Sequence, residues 1–83
     1  MKPPAQYVSL AERHWRTWQP RRVAELERTG RLTTKLQEAA ERTVTDSEAL
    51  RQHFLQQGLT PNQAQHRAWE IVRERYLFLP PEE

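Results

Sequence analysis

The stretch Gly58-Leu59-Thr60-Pro61-Asn62-Gln63 decides the fold, because several independent helix-boundary preferences agree within it. Glycine is favoured just past a helix C-terminus, where the backbone turns left-handed. Leu59 can act as the hydrophobic staple, and Thr60 is a good N-cap. Pro61 suits the first helical position, and Gln63 completes a capping box with Thr60. One helix therefore ends before Gly58 and another begins at Pro61.

Working outward towards the C-terminus, Ala64, Ala68, Ile71 and Val72 share one face, with Trp69 and Tyr76 at its border. This spacing predicts a helix over about 61–76. Leu77-Phe78-Leu79-Pro80-Pro81 then predicts an extended C-terminal tail, since Pro80 disfavours helix at Leu79. Towards the N-terminus, Leu32, Leu36, Ala39, Thr43, Leu50 and Phe54 keep a 3–4 spacing over about 32–57. Thr45-Asp46-Ser47-Glu48 inside this segment is spelled like a second capping box, so a break near 45 stays open beside the preferred single helix.

Gly30 and Pro20 punctuate the remainder. A short helix over about 20–29 carries Val23 and Leu26 on its apolar face, with Ala24 beside them. A first helix over about 4–18 places Val8, Ala11, Trp15 and Trp18 on one face, and both tryptophans are expected to point into the core. The expectation is an all-α chain. It forms a small bundle of four helices, or five if the third breaks, in a single domain over residues 1–83.

Composition sets the limits on function. The chain has 83 residues and no cysteine, which excludes disulfides, thiolate catalysis and cysteine-ligated zinc. Its longest apolar run is Leu77-Phe78-Leu79, too short to span a bilayer. The N-terminal Met1-Lys2-Pro3-Pro4-Ala5-Gln6 lacks a signal-peptide core, so a cytoplasmic location is expected. A domain of this size also has little stability to spare for a deep catalytic cavity.

Catalytic signals are correspondingly poor. Glu12 and His14 are two residues apart and face different ways on a helix. His66 and Glu70 are at i, i+4 and could share a metal, but structural sites usually need four ligands. No glycine-rich phosphate loop exists, because the only glycines are Gly30 and Gly58. The only aspartate is Asp46, so no Ser, His and Asp arrangement can be named. A non-enzymatic protein with no metal and no cofactor is expected.

Two binding classes remain. Residues 1–35 hold eight basic and three acidic side chains, whereas residues 36–83 hold five and eight. Arg13, Arg16, Arg21 and Arg22 interleave with His14, Trp15 and Trp18, a mixture that could bind a nucleic-acid backbone and stack on bases. The turn at Gly58 also invites comparison with a helix-turn-helix. That alignment puts Phe54 where a small residue is needed and Arg67 where an apolar one should be buried, and both positions fail. The other class is protein binding. Trp69, Tyr76, Phe78 and Leu79 are of the types that anchor interfaces, although the same side chains could simply close the end of the bundle. A chain this poor in large apolar residues could also use a second copy to complete its core.

The chain also resembles a known family. Leu10-Ala11-Glu12-Arg13-His14-Trp15, Leu26-Glu27-Arg28-Thr29-Gly30-Arg31-Leu32, Gln37-Glu38-Ala39-Ala40-Glu41 and Ala68-Trp69-Glu70-Ile71-Val72-Arg73-Glu74 look like the TnpV-like small helical proteins of transposons, plasmids and phages. The resemblance implies an all-helical fold and a mobile-element context, and it transfers no active residues. The expected role is that of an accessory protein of a phage or mobile element, binding another protein through a helical face. Small phage-borne proteins of this kind include inhibitors of host defence systems. The alternative is a small nucleic-acid binder using the Arg/Trp-rich N-terminal face.

Overall fold

Pro20, Gly30, Gly58 and Pro61 each mark a helix boundary in the computed structural model, which describes residues 5–81. Helix α1 spans Ala5–Trp18, α2 Pro20–Arg28, α3 Leu32–Gln56 and α4 Pro61–Tyr76. Among the described residues there is no strand, and no helix is long and apolar enough to cross a membrane. The expected first helical position, Pro4, lies outside the described residues.

The two glycines stop their helices in the same way. Gly30 and Gly58 adopt φ of 70° and 98°, in the left-handed region that side chains disfavour. After α2, the Arg31 N–H donates to Leu26 O at 2.8 Å and the Gly30 N–H to Glu27 O at 3.1 Å. After α3, Leu59 donates to Phe54 O and Gly58 to Leu55 O, both at 3.1 Å. These are Schellman closures that satisfy carbonyls left over at each helix end. The start of α4 matches its sequence signature. The Gln63 N–H donates to Thr60 Oγ1 at 3.3 Å, and the Thr60 N–H donates to Gln63 Oε1 at 3.0 Å.

Helix α3 is continuous through residue 45, so the Thr45–Glu48 capping box does not form and no fifth helix arises there. Tertiary packing overrides the local signal. Thr43 is fully buried, and its hydroxyl donates back to Ala39 O at 2.8 Å, which satisfies it without opening the helix. Glu48 turns instead to Arg51 at 2.6 Å. Asp46 accepts from the Tyr76 hydroxyl at 2.5 Å.

Two packed regions hold the fold. Ala40 and Thr43 of α3 and Ala64, Ala68 and Val72 of α4 are all essentially buried. Small residues on both sides let these helices approach closely. The larger cluster joins Ala11 and Trp15 of α1, Val23 and Leu26 of α2, Leu32, Leu36 and Ala39 of α3, and Leu77 beyond α4. Over residues 77–81 the chain is non-helical and lies along α1. The Gln19 side-chain amide donates to Pro80 O at 2.8 Å, and His14 Nε2 lies 2.9 Å from Leu79 O.

The two neighbouring tryptophans part company. Trp15 is 2% exposed, as its helical face predicts, but Trp18 is 46% exposed and does not join the core. Trp18 lies in the last turn of α1, and side chains on a helix lean towards its N-terminus. Its ring therefore rests on His14, with centroids 5.9 Å apart, and its outer face is wet. Ala24, beside the α2 packing face, is exposed, and Leu50 and Phe54 are only half-buried.

The result is a flat body, 46 × 30 × 15 Å. Its radius of gyration of 14.1 Å exceeds the roughly 12 Å of a compact chain of this length. Such a slab has wide faces and little interior.

Stability measurements check this packing. Trp15→Ala is expected to cost about 3–5 kcal/mol in urea denaturation, and Trp18→Ala no more than about 1. Equal losses would place both rings in the core. Thr60→Ala is expected to cost about 1 kcal/mol and Thr45→Ala less than about 0.5. A comparable loss at Thr45 would mean that a helix starts there after all.

Candidate functional site

An open groove of about 1030 Å³ lies between α1, α3 and α4. Tyr7 and Leu10 face it from α1, Val44 and Arg51 from α3, and Ala68 and Trp69 from α4. The packing of α3 against α4 fixes two sides. The third is fixed by a stacked pair, Tyr7 on Trp69, with ring centroids 5.5 Å apart and planes 20° from parallel. Arg13 contributes a positive charge from α1. The charge of Arg51 is balanced by Glu48, and hydrogen bonds from Arg51 and then Gln52 hold the Glu48 carboxyl below the usual range.

The four expected partner-binding residues divide between two tasks. Trp69 lines the groove and also borders a shallower depression beside Asn62, Gln63 and His66. Phe78 packs edge-on against Trp69 and tilts against His14, with centroids 6.3 and 5.0 Å apart. Leu79 offers its carbonyl to His14, and Tyr76 donates to Asp46. Phe78, Leu79 and Tyr76 therefore close the bundle from within, all of them half-buried against the core cluster.

The four arginines of the nucleic-acid alternative do not gather at one concavity. Arg13 lines the groove. Arg16 is engaged by two carboxylates, Glu12 Oε2 at 2.9 Å and Glu27 Oε1 at 2.7 Å, which hold its guanidinium more firmly protonated. Arg22 lies over the Trp15 ring, 5.4 Å from its centroid, next to a different cleft. Arg21 is exposed and has interactions of its own. Trp18, the one exposed large apolar side chain among the described residues, stands beside His14.

His66 Nε2 and Glu70 Oε1 do meet, at 2.8 Å, on an exposed face of α4. Among the described residues no third histidine or acid joins them to make a metal-binding group. Tyr7, Leu10 and Val44 escaped the sequence reading. Tyr7 and Leu10 are spaced i, i+3 beside the Val8–Ala11–Trp15 stripe, a second, weaker stripe that a single-face reading of α1 leaves out.

No family model, no curated protein and no solved structure matches the chain, so the resemblance to TnpV-like proteins rests on the quoted residues.

The Tyr76–Asp46 contact has a pH signature. The hydrogen bond to Asp46 raises the Tyr76 hydroxyl above its ordinary value of 10.0, and burial adds to the shift. Folding thus favours the neutral phenol. That stabilisation is complete below the unfolded value and is lost as pH rises through the higher folded one. As pH rises above about 10 the melting temperature should fall more in the wild type than in Tyr76→Phe. Parallel curves would show that the contact contributes nothing in solution.

Proposed function

We propose that the chain is a non-enzymatic binding protein that takes an amphipathic helix of another protein into the groove between α1 and α4. One observation carries the reading. The stacked Tyr7–Trp69 pair, with Leu10 and Val44, gives the groove partly exposed apolar side chains among polar ones. The four side chains are only partly buried, and a groove between helices suits a helical ligand. Arg13 on the wall favours a partner helix with an acidic residue flanking its apolar stripe. The resemblance to TnpV-like proteins supports the wider context of an accessory protein of a phage or mobile element. An inhibitor of a host defence system would act in this way, by covering a surface of its target. The nucleic-acid alternative has less support, because Arg13 and Arg22 line different concavities and Arg16 is already paired with Glu12 and Glu27.

Site-specific photo-crosslinking in bacterial cells tests the proposal. A photoreactive residue at Gln65, on the groove wall, should give a discrete adduct with another protein, and one at Arg28, away from the groove, should not. The purified partner should then bind the wild type at least about tenfold more tightly than Trp69→Ala. Gln65→Arg, which obstructs the groove without touching the core, should weaken binding as well. An adduct containing only a second copy, an adduct with nucleic acid, or partner binding indifferent to both variants would overturn the reading.

A further inference from the structure

A second cleft, about 290 Å³, lies away from the groove, where α1, α2, α3, α4 and the tail come together. Trp15 and Leu79 contribute its apolar surface, and four cations surround it: Arg22 from α2, Lys35 and Arg42 from α3, and Arg75 from α4. These residues are far apart in sequence, and only the packing brings their charges to one concavity. Like charges gathered in this way repel one another. Glu38 reaches Lys35 at 3.4 Å. Asp46 lies 3.8 Å from Arg75, but the same carboxylate oxygen already accepts the Tyr76 hydroxyl. Arg42 has no ion pair among the described residues. Arg22 is set over the Trp15 ring, which steadies its guanidinium at the cleft. The indole Nε1–H of Trp15, a buried donor, has no acceptor among the described residues.

We propose that this cleft binds a phosphomonoester: the dianionic phosphate of a small ligand, held among Arg22, Lys35, Arg42 and Arg75 against the Trp15 side. The charge and shape of the cleft select that class. A carboxylate carries one charge and two oxygens and is satisfied by a single guanidinium fork. A terminal phosphate carries up to two charges and presents three oxygens to donors arriving from several directions, the arrangement that three helices supply here. A phosphodiester backbone carries one charge per unit and is tracked by a stripe of cations, whereas these four converge on one small concavity. The site is independent of the α1–α4 groove and shares no lining residue with it.

Calorimetric titration of the full chain at low salt with inorganic phosphate, adenosine 5′-monophosphate, adenosine and a short unphosphorylated single-stranded DNA tests the site. Phosphate and the monophosphate bind and adenosine does not. A monophosphate that binds more tightly than free phosphate identifies a nucleotide as the source of the phosphoryl group, and equal affinities identify phosphate itself. Arg42→Gln weakens both by at least about tenfold with an unchanged melting temperature. Arg28→Gln, outside the cleft, leaves both unchanged. No heat with either phosphate at millimolar concentration would overturn the proposal. So would equal weakening by Arg28→Gln, or DNA binding stronger than that of the monophosphate. Because Gln65→Arg leaves this cleft untouched, loss of partner binding in that variant with phosphate binding intact separates the two sites.

Discussion

Helices α3 and α4 lie close together because the side chains between them are small. Ala40 and Thr43 on one helix meet the buried face of Ala64, Ala68 and Val72 on the other. Larger residues there would push the axes apart, and protein interiors tolerate added volume poorly. The rest of the molecule is placed relative to this pair. The position of α4 sets where Leu77 enters the larger cluster, and Leu77, fully buried, in turn lays the tail along α1. Both concavities depend on the same constraint. The groove needs α4 beside α3, and the cationic cleft needs Arg75 near Arg42.

Close packing through small side chains also explains the shape. Alanines bury little apolar area each, so this interface holds two helices together without building a thick interior. The stabilising volume is concentrated where Trp15, Leu26, Leu36 and Leu77 meet. Away from that cluster the second half of α3 contributes no fully buried side chain, and Leu50 and Phe54 remain half-exposed. A flat body with one dense region and open concavities follows from an alanine-rich seam in a chain whose hydrophobic content is only 36%.

Much of this was legible in the sequence where the signal was local. The Gly58–Gln63 boundary depends on backbone conformation and on hydrogen bonds within six residues, and each of those is present. The apolar face of α4 followed from its spacing for the same reason. Thr45–Glu48 carried an equally good local spelling, but a helix already packed on one side does not open for a cap worth about 1 kcal/mol. Trp18 shares the stripe of Trp15, yet it falls in the terminal turn, where no neighbouring helix covers it. Periodicity gives the direction of a side chain along a helix but not the reach of whatever packs against it.

The candidate sites were less legible because each assembles residues that are distant in sequence. Trp69 stood out for its type, but its role depends on Tyr7, which comes from the opposite end of the chain and is brought beside it only by the fold. The arginines were conspicuous as a run near the N-terminus, yet sequence proximity misjudged their grouping. Arg16 is spent on Glu12 and Glu27, while Arg22 joins Arg42 and Arg75 across three helices. Charge in a helical protein groups by face and by helix contact. A basic segment read along the chain therefore overstates some partners and hides others. Here it hid the cationic cleft, whose four basic residues come from three different helices.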